Sequence, residues 1–182
     1  MTVKPLITPR VENEDKAKVD AIFSHIETHM GFVPAGLQLY SASPALLETF
    51  VQTVGYFMSH ATLSQELLAT IRYLVSSDAN CKFCINFNEG ILLNLGKSHE
   101  DLQAAKSNHE NAPLNADEKV LLALALKGIN DPEGVSHSDM KKARDSGYSD
   151  RDIFDAVAIA ANNKAFTHVL RSFKVEHQGA FA

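Results

Sequence analysis

The 182-residue sequence predicts an all-α protein. Apolar residues recur at three- and four-residue spacing in one segment after another, whereas no stretch alternates with period two between hairpin turns. The β-branched residues fall inside the helical stripes. With 45% apolar and 21% charged residues and few glycines or prolines, the chain can bury a sizeable core. The expected organisation is one compact helical domain over 1–182, with residues 1–30 as an N-terminal helical arm.

The first helix is read over Asp15 to Met30, where Val19, Ile22, Phe23, Ile26 and Met30 form one face and Gly31 closes the segment. Pro34 interrupts, and Ala35 to Ala42 reads as a turn. Ser43-Pro44 is the pairing that opens helices, and Leu46, Leu47, Phe50, Val51, Val54, Phe57 and Met58 follow as one stripe. A third helix follows Leu63-Ser64, with Thr62 and Gln65 spaced as a capping box, and ends near Asp78 to Asn80. Asn80 is the expected N-cap of a fourth helix carrying Phe83, Phe87, Ile91, Leu92 and Leu95 up to Gly96. Ser98 opens a shorter helix, and Lys106 to Pro113 reads as a flexible seam. Asn115 and Glu118 form a second capping-box pattern ahead of Val120 to Leu126, which is apolar nearly all round and so predicts a central, buried helix. A short helix around Met140 and Ala143 stops at Gly147, and a long one starts at Ser149, its faces carrying Ile153, Phe154, Ala160, Phe166 and Leu170.

Seventeen Lys and Arg against twenty-two Asp and Glu leave a charge of −5, the wrong sign for neutralising phosphates, which argues against nucleic acid as a partner. The run Val120 to Leu126 is far short of the ~20 residues of a membrane span, and Met1-Thr-Val-Lys-Pro5 opens no secretory signal. A cytoplasmic protein without membrane contact is expected. The Ala-rich stretches Ala156 to Ala165 and Leu121 to Leu126 suit close helix packing within or between subunits, so a homo-oligomer is expected too.

Two cysteines cannot staple a chain of this length, but they stand three positions apart as Cys81-Lys-Phe-Cys84. Just under one helical turn separates them, so both sulfurs share a face. At a helix start, unpaired N–H groups and the helix dipole favour a thiolate, with Lys82 adding charge and Phe83 and Phe87 an apolar wall. A closed zinc site needs four ligands, and neither a second CxxC nor an HxxxH stands beside the pair. His25 and His29, at i, i+4 on the first helix, fit a solvated face better than a metal. No cofactor is expected.

The run from Leu63 to Cys84, preceded by Gly31-Phe-Val-Pro34 and Ser43-Pro44, resembles the AhpD-like branch of the carboxymuconolactone decarboxylase family. The later stretch from Gly147 to Ala160 is similar to that family's second helix. The resemblance implies an AhpD-like helical bundle, usually oligomeric, in which Cys81 and Cys84 form the catalytic pair that reduces organic hydroperoxides, Cys84 usually attacking and Cys81 resolving, whereas the helix terminus favours Cys81 as the lower-pKa thiol, so the order stays open. It implies no cofactor, and a dithiol or thioredoxin-like protein as reductant. Two family positions differ: the relay glutamate twelve residues before the first cysteine is Ala69, and the relay histidine four after the second is Asn88. Asparagine hydrogen-bonds but carries no proton at neutral pH. Glu66 and Glu89 lie near without matching the family positions, and His60, Tyr73 and His168 are further proton carriers whose structural roles are commoner. Two alternatives stay open: a non-peroxidatic helical oligomer with an inert or redox-sensing CxxC, and a decarboxylase-like enzyme that does not use the cysteines.

Overall fold

The structure, a computed structural model, describes residues 4–181. Met1 to Val3, on which part of the N-terminal reading rests, and Ala182 lie outside them. Every regular element among the described residues is helical: α1 (Asn13–Met30), α2 (Ala35–Tyr40), α3 (Pro44–Met58), α4 (Gln65–Asp78), α5 (Lys82–Asn94), α6 (His99–Ser107), α7 (Ala116–Asn130), α8 (His137–Asp145) and α9 (Asp150–Ser172). Short 3₁₀ turns at His109–Asn111 and Pro132–Gly134 link them. The all-α class expected from the periodicity is the class observed.

The chain divides into two compact units. The first joins residues up to Ser59 with those from Val169 onward. Within it α1 packs on α3, burying Val19 and Ile26, and Lys18 reaches Glu48 at 2.5 Å. Gln178 clasps the entry to α2: its Oε1 accepts from Ala35 N–H (3.1 Å) and its Nε2 donates to the Val33 carbonyl (2.9 Å). These bonds explain why Ala35 to Tyr40 is a helical turn rather than the expected irregular one, since Pro34 opens it and its first free N–H is capped from afar. The α3 stripe is only half realised. Leu47 and Phe57 are buried, but Leu46 and Met58 are 61% and 69% exposed.

The second unit spans His60 to His168. Its centre is α4, which is buried on nearly every side and packs against α5, α6 and α7. Leu67, Leu68, Ile71, Leu92, Leu102, Leu121 and Leu122 fill the core. Ser64 caps α4 by accepting from Leu67 N–H (3.0 Å), in place of the expected Thr62–Gln65 box, and also donates to Glu118. Glu118 in turn closes the expected capping box with Asn115 at the start of α7. Gly128 lets α9 approach α7, for a Cβ there would meet Val157 at 3.1 Å. The seam before Pro113 contains the 3₁₀ turn at His109–Asn111. Phe154, expected on a core face, is 71% exposed. Among the described residues no helix is long and apolar enough to cross a membrane.

α4, α5, α8 and the last helix end alike. A residue with positive φ follows the C-cap, at Asn80, Gly96, Gly147 and Lys174, and two N–H groups fold back onto the final turn. For α4, Asn80 N–H donates to Ser77 O and Cys81 N–H to Ser76 O, both at 3.0 Å. This is the Schellman closure, in which the left-handed residue reverses the chain and satisfies two orphan carbonyls. Asn80 has φ 50°, a conformation that short polar side chains tolerate and β-branched ones resist. Asn80→Val is expected to lower stability by about 1–2 kcal/mol, and Asn80→Gly to be neutral or stabilising. Thermal unfolding of the two variants checks this.

Candidate active site

Asn80 therefore closes α4 rather than capping α5, which corrects the expected register by one residue. Cys81 takes two roles at once: it follows the left-handed residue of α4 and is itself the N-cap of α5, with φ −91° and ψ 96°. Cys84 is the third residue of that helix. The two sulfurs lie 2.6 Å apart, close enough to be joined by small side-chain rotations.

The pair is buried, Cys81 being 1% and Cys84 2% accessible. The Schellman reversal turns Cys81 inward, where an apolar residue commonly closes such a motif. The helix terminus does not lower the second thiol. The Cys84 thiol is pushed above its ordinary range by its hydrogen bond with Cys81 and then by burial. Lys82 is exposed. Phe83 and Phe87 stack with centroids 5.9 Å apart, Phe83 buried, so the apolar wall is present.

Asn88, one turn beyond Cys84, is buried and uses both ends of its amide. Nδ2 donates to the Cys84 carbonyl (2.8 Å), and Oδ1 accepts from Arg72 Nε (3.0 Å). The Arg72 carbonyl accepts from Ser76 Oγ (2.6 Å) and from Asn163 Nδ2 (3.0 Å), so α4, α5 and α9 are tied together behind the cysteines. Ala69 is fully buried on α4. Arg72 and Asn163 were not visible as site residues in the pattern. The available signal was a single charge inside the otherwise uncharged run Leu67 to Ser76.

The other proton-carrying candidates are occupied elsewhere. Glu89 pairs with exposed His99 (2.8 Å). Glu66 is the exception, since its backbone carbonyl, and not its carboxylate, accepts from Thr70 Oγ1 (2.7 Å). His168 Nδ1 meets the Lys164 carbonyl one turn back, and His29 meets that of His25. Tyr73 is buried, and burial followed by the charge of Glu89 raises its phenol above the usual range. His60 forms a buried clasp: Nε2 bonds Asp155 (3.1 Å) while Nδ1 accepts from Leu63 N–H (3.1 Å). That places the proton on Nε2 and makes the ring a brace between the α3–α4 loop and α9. Among the described residues no group of three or more His, Cys, Asp or Glu side chains gathers in metal-binding geometry.

Because protonated Cys84 is favoured, alkylation of the reduced protein is expected to label Cys81 first at neutral pH, and Cys84 only as pH rises beyond the ordinary thiol value of ~8.5. A raised folded-state value also means that stability is lost above that pH, where only the unfolded chain ionises. Peptide-level mapping across pH, with thermal unfolding of the reduced protein alongside, checks both.

No family model and no curated protein sequence matches the chain. Solved structures do. An uncharacterized peroxidase-related protein from Silicibacter sp. TM1040 aligns with TM-score 0.82 at 22% identity, over 93% of this chain and 89% of the other. The alkylhydroperoxidase AhpD core of an uncharacterized peroxidase-related protein from Ralstonia eutropha JMP134 aligns with TM-score 0.84 at 17% identity, over 100% and 96%. A cysteine-to-alanine variant of the debrominase Bmp8 in complex with 2,3,4-tribromopyrrole aligns with TM-score 0.71 at 19% identity, over 94% and 92%. The chain thus has the all-α fold of the AhpD-like, peroxidase-related proteins.

Proposed function

We propose that the protein is a thiol-dependent oxidoreductase that reduces organic hydroperoxides through a Cys81–Cys84 dithiol/disulfide cycle. The observation that carries this reading is the pair of sulfurs 2.6 Å apart at the start of α5. The AhpD-like fold supports it. Cys81, at the positive end of the helix dipole, is the attacking thiolate, and Cys84, which keeps its proton, resolves.

Cys81 sulfur displaces alkoxide from the peroxide, so an S–O bond forms as O–O breaks, and the alkoxide takes up a proton to leave as alcohol. Cys84 then attacks the Cys81 sulfenic acid, and water leaves as the disulfide closes. An external dithiol or a thioredoxin-like protein returns two electrons and two protons by exchange. Since both sulfurs are buried, side chains around the first turn of α5 must move to admit the peroxide. Asn88 carries no proton, so protons enter and leave through substrate, water or the cysteines themselves. A homo-oligomer and a cytoplasmic location belong to the same reading. Exposed apolar residues on α3, such as Leu46 and Val54, support the former.

The likeness to the debrominase supports a second acceptor for the same dithiol. The thiolate would take the halogen of an aryl halide, the ring carbon would take a proton, and the second thiol would displace halide to close the disulfide. Cumene hydroperoxide and a bromophenol, each offered with dithiothreitol, separate the readings. Peroxide loss without bromide release is the expected result. Bromide release alone would favour dehalogenation, and neither would favour a redox-inert scaffold.

A further inference from the structure

Arg72 is out of place by ordinary packing rules. From Leu67 to Ser76 every residue of α4 but this one is buried, and it is the only charge in the stretch. The residue as a whole is half-buried, but its guanidinium is withdrawn from water far enough to lower its pKa to about 10. Its Nε is committed to Asn88, yet among the described residues no carboxylate pairs with it and its terminal nitrogens make no hydrogen bond. None of those nitrogens is sealed off unsatisfied, so the tip of the guanidinium keeps some accessible surface. A partly desolvated cation without a counter-charge costs stability that an apolar residue would not, and charged groups with perturbed pKa values cluster at binding sites. Its location is equally specific: the residue that grips Arg72 also grips the Cys84 carbonyl, and Cys81, Cys84 and Asn88 share one face of α5.

We propose that Arg72 is the anion-holding residue of the dithiol site, so that the preferred substrate is an organic acid whose carboxylate meets the guanidinium while its oxidising group faces the sulfurs. This rests on the dithiol reading above and adds the substrate class to it. Arginine suits the task because its planar fork takes both carboxylate oxygens.

The test uses two alkylating agents that differ in charge and leave the peroxide question aside. The reduced protein is treated with iodoacetate and with iodoacetamide, and the ratio of their rates is compared among wild type, Arg72→Lys and Arg72→Gln. The ratio is expected to fall about tenfold in Arg72→Gln, as for loss of a near charge in a half-buried site, and to survive largely in Arg72→Lys. An unchanged ratio in a folded Arg72→Gln protein overturns the proposal. Should that variant not fold, the wild type suffices: benzoate, but not benzyl alcohol, should slow iodoacetamide in a saturable way, and equal effects of the two overturn the proposal. Sulfurs that react with neither reagent overturn it as well, since a closed site admits no anion. Absence of hydroperoxide turnover with a charge-dependent alkylation ratio would instead sink the oxidoreductase reading and leave the anion site standing.

Discussion

Serine at either cysteine is expected to abolish dithiol-dependent hydroperoxide turnover, with a loss of at least about 10³-fold, because the two sulfurs act as one unit. The two variants should fail differently. Cys84→Ser keeps the attacking thiol and should consume one equivalent of peroxide, accumulating a sulfenic acid that dimedone traps. Cys81→Ser keeps only the thiol that burial and its surroundings hold protonated, and should yield little adduct. Mass spectrometry of the dimedone-treated variants reads the order directly. The reverse pattern would assign attack to Cys84. Single-cysteine variants that turn over like the wild type would remove the dithiol from the mechanism.

The second large effect is expected at Asn88. Asn88→Leu removes the hydrogen bond that the described residues give the partly desolvated guanidinium, and takes the side-chain donor from the Cys84 carbonyl in the same step. Leaving one buried charged donor unsatisfied costs about 2–3 kcal/mol, which for a chain of this size is a fall of roughly 5–10 °C in Tm. Adding Arg72→Met to Asn88→Leu should recover much of it, since removing both partners leaves no unpaired charge. Differential scanning calorimetry of the two variants measures this. Equal Tm values for wild type and Asn88→Leu would mean that water replaces the amide fully.

The helices that were legible in the sequence are those in which propensity, capping and burial agree. Asn115 and Glu118 mark the start of α7 and Gly31, Gly96 and Gly147 mark three ends, whereas the run Val120 to Leu126, read as central, buries Leu121, Leu122, Leu124, Ala125 and Leu126 beside α4, which holds the centre. Misreadings arose where one residue could serve two purposes. Asn80 is a good N-cap and an equally good left-handed closure, and only the reach of Cys81 N–H back to Ser76 decides between them. Ala35 to Tyr40 depends on Gln178, more than a hundred residues away, which no local pattern reveals. Phe154 and Leu46 fit a helical stripe by spacing yet lie outside the face that is covered.

For the site, spacing revealed that the cysteines share a face, and the resemblance to AhpD-like proteins implied that Ala69 and Asn88 stand where that family has a relay. Burial was not legible, because a helix start is ordinarily wet, and here the tight α4–α5 reversal turns it inward. The partnership of Arg72 with Asn88 depends on how α4 and α5 pack, which sets which turn faces which.

The most direct measurement is the mass of the fully reduced wild-type protein before and after one equivalent of cumene hydroperoxide, with the peptide containing residues 81–84 mapped. A loss of two hydrogens confined to that peptide and reversed by a dithiol is the expected result. An unchanged mass, or added oxygen that a dithiol does not remove, would contradict a Cys81–Cys84 redox cycle.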